Sequence, residues 1–223
     1  PLMTPITHLC CQLARHLLQS TLLCLLASSV LAQPVNPSGL TQSASQIRLS
    51  NWQQLLHNGS ALGELAKLEA VNHLINGSIA YVSDQQAWGQ DDYWATPEET
   101  LKLGQGDCED FAIAKYFGLL KLGVPVERLR LTYVKTLSRN SAHMVLAYYA
   151  SPNAQPLILD NLNSQVLPAA ARRDLLPVYS FNAQGIYLAK APTQKIRQPV
   201  SMLTRWDELT ARINNDSDRQ PLL

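Results

Sequence analysis

The apolar residues of this chain change their spacing once, close to Gly123 and Pro125, and this change restricts the possible folds most strongly. Before it, apolar side chains recur every three to four residues, as on the buried face of a helix. After it, apolar and polar residues alternate, which predicts three successive strands: Leu129–Thr136, His143–Tyr149 and Pro156–Asp160. Helices followed by strands with short turns indicate an α+β fold, in which N-terminal helices precede an antiparallel sheet packed on a central helix.

The central helix is predicted to begin at or beside Cys108 and to end at Gly123. Since it has almost no polar face, we expect it to be buried. A shorter helix precedes it. Thr96 is its predicted N-cap, Pro97 takes the first helical position, and Glu99 completes a capping box.

Residues 1–32 have the form of a secretory signal peptide. Arg15 is their only Lys or Arg, a leucine-rich segment follows it, and Ala32 ends a stretch of small or modest residues suited to cleavage. We therefore expect an exported protein with no stable membrane insertion after cleavage. An uncleaved N-terminal anchor is the alternative.

The rest of the chain divides into three predicted parts: a flexible arm at 33–45, one domain at 46–205, and a polar tail at 206–223. Removing the leader takes away one basic residue and no acid, so 17 basic and 17 acidic side chains remain. A net charge near zero argues against nucleic acid or an anionic membrane as the main partner.

Cys108 is the one cysteine outside the predicted leader, since Cys10, Cys11 and Cys24 all lie within it. A lone thiol in an exported protein forms no internal disulfide and is either an inert buried residue or a reactive one. Gly106 precedes it in a turn that leads into a helix, where unpaired N–H groups favour a thiolate. We interpret Cys108 as a nucleophile, with a structural cysteine as the alternative.

A cysteine nucleophile needs a general base, and His143 is the best placed histidine outside the leader. It opens a predicted strand, whereas His57 and His73 lie on helices at positions expected to face solvent. Asp160 ends the next strand and could orient the His143 ring. An ordinary strand-ending turn is the alternative for Asp160.

These motifs, taken in order, resemble the LapG family of bacterial transglutaminase-like cysteine proteases. The resemblance extends over about residues 52–188, and four segments carry it: Asp91–Pro97, Gly106–Asp110, Ala142–Leu146 and Leu159–Leu162. It implies a papain/transglutaminase-like fold, a location in the periplasm, and a catalytic triad of Cys108, His143 and Asp160.

The resemblance also implies that the enzyme depends on calcium, with Asp107, Glu109 and Asp110 as metal ligands. These carboxylates would oppose ionisation of the adjacent thiol, and bound Ca²⁺ would offset their charge. Because calcium takes six to eight oxygen ligands, other groups must contribute, and Asp84, Asp91 and Asp92 are further candidates. Without a metal, acids in the first turn of a helix are ordinary.

The substrate implied by the resemblance is a large repeat adhesin, cut at two alanines near its N-terminus, which would promote biofilm dispersal. The implied regulator is the periplasmic domain of an inner-membrane cyclic-di-GMP receptor, and Trp94 is a candidate contact for it. Two alternatives stay open: a transglutaminase or amidase, which shares the acylation chemistry, and a non-catalytic binding module of the same fold.

Overall fold

The computed structural model describes the backbone of residues 37–188, 191–196 and 204–219, and the side chains of residues 44–188 and 204–215. The predicted leader and the first residues of the predicted arm lie outside these ranges. Among the described helices, none combines the length and the hydropathy that crossing a membrane requires.

Within the part of the chain that the structure describes, five α-helices precede the main sheet: α1 (Pro37–Gly59), α2 (Glu64–Ser78), α3 (Asp84–Ala87), α4 (Pro97–Leu103) and α5 (Cys108–Lys121). The predicted capping box of α4 is confirmed, since Thr96 Oγ1 accepts from the Glu99 N–H at 3.2 Å and Glu99 Oε2 accepts from the Thr96 N–H at 2.7 Å. Gly104 ends α4 in the left-handed conformation, with φ of 73°. This turn feeds the chain into α5.

The main sheet has seven antiparallel strands in the order β6-β5-β4-β3-β7-β8-β9. Their bounds are β3 (Leu129–Thr136), β4 (Ser141–Tyr148), β5 (Leu157–Leu159), β6 (Leu167–Pro168), β7 (Leu175–Asn182), β8 (Gly185–Leu188) and β9 (Ala191–Ile196). The predicted α+β architecture is confirmed. Helix α5 packs on β3 and β4, so the helix that begins at Cys108 is at the centre of the fold.

The core forms between α5, the flanking helices and one face of the sheet. Ile113, Ala114 and Leu119 of α5 are fully buried, as are Leu131 of β3 and Leu146 of β4. The wide apolar surface of α5 predicts this burial, because a helix without a polar face is stable in water only when it is covered on all sides.

Two local predictions need correction, and one pair of strands was not predicted. Residues 37–45, expected to be part of a flexible arm, lie within α1, which Trp52 anchors in the core. The expected polar tail contains α6 (Thr204–Arg219), where buried Trp206 and Leu209 provide an apolar stripe at helical spacing. Finally, β1 (Ala80–Tyr81) and β2 (Gln105–Gly106) form a short parallel pair. Each strand is too short to show an alternating pattern in the sequence.

Candidate active site and acidic cluster

Cys108 is the first residue of α5, and a capping box holds the turn that carries it. Asp107 is the N-cap; its Oδ1 accepts from the Glu109 N–H at 3.1 Å, and Asp110 Oδ2 accepts from the Asp107 N–H at 3.3 Å. These bonds satisfy N–H groups that a helix start leaves without partners. The position of the sulfur is therefore fixed by local hydrogen bonds.

The Cys108 thiol lies between a carboxylate and a backbone amide. It donates to Glu109 Oε2 at 2.8 Å, and the backbone N–H of Met144 in β4 is close enough to act on the pKa of the thiol. Burial and the neighbouring carboxylates of Glu109 and Asp107 raise the pKa of the thiol far above its usual value, and the Met144 N–H lowers it only in part. With these carboxylates uncompensated, Cys108 is held as the neutral thiol.

His143 and Asp160 form a direct, buried pair. His143 Nε2 lies 2.8 Å from Asp160 Oδ1, which also accepts from the Leu162 N–H at 3.0 Å. Burial by itself would raise the pKa of Asp160, but the bonds from His143, Leu162 and Arg172 outweigh it and lower the pKa to about 2. Asp160 is therefore an ionised carboxylate that can accept a hydrogen bond from the imidazole ring.

The elements that carry the three predicted triad residues are neighbours in the fold. Cys108 begins α5, which packs on β4; His143 lies in β4, and Asp160 directly follows the neighbouring strand β5. The competing histidines, His57 and His73, are both exposed on helices, as predicted.

Several supporting residues were missed by sequence reasoning. Arg172 Nη2 donates to Asp160 Oδ2 at 2.7 Å, and Asn76 Nδ2 of α2 donates to the Asp160 carbonyl at 2.8 Å. Lys115 of α5 is fully buried, and burial lowers the pKa of its amine to about 7, although the charge of Asp160 acts in the opposite direction. None of the three belongs to a motif, so only their final positions reveal them.

An acidic cluster lies beside the thiol. Carboxylate oxygens of Asp84, Asp107 and Asp110 lie within 4.8 Å of one another, and ligand atoms of Asp107, Cys108 and Glu109 form a second such group. Of the predicted metal ligands, Asp107 belongs to both groups and Glu109 to the group that contains Cys108. Asp110 belongs to the group that Asp84 completes. Asp91 and Asp92, also considered as donors, line the same pocket of about 730 Å³ as Asp84, Asp107 and Glu109.

The cluster has the chemistry of a site for a hard cation. Burial and the Glu109 carboxylate raise the pKa of Asp107 to about 9, and burial raises the pKa of Asp110 to about 7. Burial also raises the pKa of Asp84, whose Oδ1 is buried without a hydrogen-bond partner while its Oδ2 accepts from the Tyr93 N–H at 2.6 Å. A divalent cation would provide both a ligand for this oxygen and the missing positive charge.

Trp94 does not have the exposed ring that the candidate docking contact requires. Only 7% of the residue is accessible, and its ring stacks on Phe181 of β7 with centroids 5.8 Å apart. Its carbonyl accepts a hydrogen bond from Arg212 of α6. The expectation of an interface anchor is therefore wrong for Trp94, because its ring is buried and packs in the core.

Comparison with known proteins agrees with this geometry. Residues 46–173 match the family described as bacterial transglutaminase-like cysteine proteinase BTLCP. Among solved structures, LapG of Legionella pneumophila is 44% identical, with a TM-score of 0.68, and the alignment covers 78% of this chain and 93% of that one.

Two further structures of the Legionella protein are similar. The calcium-bound structure is 42% identical, with a TM-score of 0.69, and the alignment covers 79% of this chain and 96% of that one. The EGTA-treated structure is 44% identical, with a TM-score of 0.69, and the alignment covers 78% of this chain and 94% of that one. A search of curated proteins gives no match. The predicted transglutaminase-like fold is thereby confirmed, and the chain belongs to the family of bacterial transglutaminase-like cysteine proteinases and is a cysteine protease.

Proposed function

We propose that this protein is a periplasmic, calcium-dependent endopeptidase in which Cys108, His143 and Asp160 form the catalytic triad. Its substrate is a large repeat adhesin, which it cuts at two alanines near the N-terminus to release the adhesin and promote biofilm dispersal. The observation that carries the proposal is the direct, buried bond between His143 of β4 and Asp160, on the sheet that packs against the helix beginning at Cys108. The similarity to LapG supports the substrate class.

Each residue of the triad has a distinct role in the proposed reaction. The Asp160 carboxylate accepts from Nε2–H of His143, which leaves the lone pair of Nδ1 to take the thiol proton. The Cys108 sulfur then attacks the peptide carbonyl, and the imidazolium returns its proton to the leaving amine. Water hydrolyses the acyl-enzyme, with His143 again acting as the base.

The acidic cluster explains why such an enzyme would need calcium. Asp107, Glu109 and Asp110 would hold the ion together with Asp84, with Asp91 and Asp92 in the same pocket. Asp110 also supports the turn through its bonds to backbone N–H groups. Bound calcium supplies positive charge that offsets the carboxylates beside the thiol. Glu109 would then no longer stabilise the protonated thiol, and Cys108 could ionise more easily.

Export and regulation complete the proposal. The predicted leader at 1–32 would direct the protein to the periplasm, where the adhesin is anchored. The periplasmic domain of an inner-membrane cyclic-di-GMP receptor would bind the protease and keep it from the adhesin. Since Trp94 is buried, we assign no contact residue to that interface.

Incubation with an N-terminal adhesin fragment tests the proposal. The wild-type protein with Ca²⁺ should cleave the fragment, whereas Cys108→Ala, His143→Ala and wild type with excess EGTA should not. The matched control is His73→Ala, which removes an exposed histidine and should retain full activity. Circular dichroism checks that the inactive variants are folded.

Two results would contradict the proposal. Cleavage by Cys108→Ala would exclude Cys108 as the nucleophile, and full activity in excess EGTA would exclude a calcium requirement. Incorporation of a labelled amine into a glutamine substrate, without cleavage of the fragment, would identify a transglutaminase instead.

A further inference from the structure

Arg172 connects Asp160 to a second carboxylate, that of Asp174. Its Nη2 donates to Asp160 Oδ2 at 2.7 Å and to Asp174 Oδ2 at 2.7 Å, and its Nε donates to Asp174 Oδ1 at 3.0 Å. The side chain of Arg172 is 5% exposed and that of Asp160 is 0% exposed, whereas that of Asp174 is 51% exposed. A continuous chain of charged groups therefore leads from His143 to the protein surface.

The backbone that carries this guanidinium is also fixed. A short 3-10 turn, Ala169–Ala171, ends at Arg172, whose N–H bonds to the Ala169 carbonyl at 3.0 Å. The Leu175 N–H bonds to the Arg172 carbonyl at 3.1 Å, and the Leu137 N–H bonds to the Asp174 carbonyl at 2.8 Å. Both ends of the Arg172–Asp174 segment are thus tied to the main sheet.

We infer that Arg172, anchored by Asp174, is a positioning residue that holds the Asp160 carboxylate in the orientation His143 requires. This inference rests on the proposed triad chemistry. Asp160 Oδ1 already accepts from His143 and from the Leu162 N–H, so the rotation of the carboxylate is set by what binds Oδ2. Nη2 of Arg172 donates to this second oxygen, while Asp174 binds Nε and Nη2 together and so fixes the plane of the guanidinium.

The electrostatics of Asp160 agree with this role. Four charged or titratable groups surround it: His143 on β4, Arg172 and Asp174 after the 3-10 turn, and Lys115 on α5. Burial favours the neutral carboxyl, and the hydrogen bonds that oppose burial include the one from Arg172. Removing the guanidinium should raise the pKa of Asp160, so that the carboxylate becomes protonated at a higher pH than in the wild-type protein.

Four variants test this role in the full chain with Ca²⁺ present: Arg172→Met, Arg172→Lys, Asp174→Asn and the control Arg128→Met. Arg128 forms an ion pair with Glu64 at 2.5 Å, outside the triad contacts and partly exposed, so it controls for the loss of an arginine ion pair away from the site. One readout is the rate at which iodoacetamide alkylates Cys108, measured from pH 4 to pH 9. The other is kcat and KM for the adhesin fragment, with circular dichroism as the test of folding.

We expect Arg172→Met to lower kcat by about 10- to 100-fold with little change in KM, the size of effect expected when a catalytic group is misplaced. The acid limb of its alkylation profile should move to higher pH. Arg172→Lys should recover part of the rate because it keeps the charge but not the fork, and Asp174→Asn should lose less than about tenfold in kcat. Arg128→Met should match the wild type in both readouts.

The positioning role is refuted when folded Arg172→Met and Asp174→Asn keep the wild-type kcat and alkylation profile. A uniform loss in both readouts, without a pH shift and without recovery by lysine, also refutes it, because this pattern indicates general destabilisation. The two readouts separate this inference from the proposed substrate. If the wild-type protein does not cleave the adhesin fragment but alkylation of Cys108 depends on Arg172, only the proposed substrate is wrong.

Discussion

Replacing Gly106 with alanine should disrupt the turn that carries Cys108. An added Cβ would lie 2.6 Å from Asp110 Oδ2 and 2.8 Å from Asp110 Cβ, and distances this short require a displacement. Asp110 is fully buried and accepts from the Ala95 N–H at 2.8 Å and from the Asp107 N–H at 3.3 Å, so it cannot move without losing these bonds. Overpacking costs about 1–3 kcal/mol, and loss of a helix cap costs about 1 kcal/mol. We therefore expect a decrease of about 2–4 kcal/mol in the free energy of unfolding.

Urea denaturation followed by tryptophan fluorescence measures this change. The matched control is Gly77→Ala in α2, where an added Cβ meets no atom within 4 Å. It should stabilise the protein by up to about 1 kcal/mol, because alanine favours the helix. In the Gly106 variant, alkylation of Cys108 should also become insensitive to calcium. Free energies of unfolding for Gly106→Ala within about 0.5 kcal/mol of the wild type would refute the steric reasoning.

Two further predictions concern α5 and the acidic cluster. Gly118→Ala should destabilise the protein by about 1–2 kcal/mol, because the new Cβ would collide with the buried ring of Trp52. This cost should exceed the gain from the higher helix propensity of alanine. A thermal midpoint above that of the wild type would contradict the prediction and show that the Trp52 ring moves aside. Calcium at 100 times its Kd should stabilise the folded protein by about 2.7 kcal/mol. Since each kcal/mol raises Tm by about 2–4 °C, we expect Tm to increase by about 5–10 °C. The raised pKa values of Asp107 (about 9) and Asp110 (about 7) mean that calcium-free protein loses stability as pH rises from about 4 through those values. At one fixed calcium concentration, the increase in Tm should therefore be larger at pH 8 than at pH 5, because fewer protons compete with the ion. Equal shifts at both pH values in differential scanning fluorimetry would contradict this.

The elements that bear the site follow from local patterns. Strand β3 occupies the predicted range, Leu129–Thr136, because the alternation of its residues is long and regular. The start of α4 was equally predictable, since Thr96 and Glu99 satisfy each other's N–H groups within four residues. The same patterns predicted that His143 opens one strand and Asp160 ends the next. In the structure the first of these strands begins two residues earlier, at Ser141, and the second ends at Leu159, directly before Asp160.

Residues of the same type differ in burial, and no local sequence pattern predicts which of them is buried. Arg172 and Arg173 are adjacent, yet Arg172 is buried against Asp160 while Arg173 is exposed. Asp84 is likewise buried in the cluster, whereas Asp92 is exposed at the rim of the same pocket. The two members of each pair are the same residue type, so residue type alone does not predict which member is buried.

The amino-acid sequence alone determined the helix-then-strand architecture, the lone nucleophile candidate and its acidic neighbours, because these depend on residues close together in the chain. Only the tertiary structure decided which groups act on them: Met144 on the Cys108 sulfur, Asp84 beside Asp107, and Arg172 on Asp160. The physical reason is that such contacts depend on how whole elements pack, since a sheet and a helix bring together atoms that the chain keeps 12 to 36 residues apart.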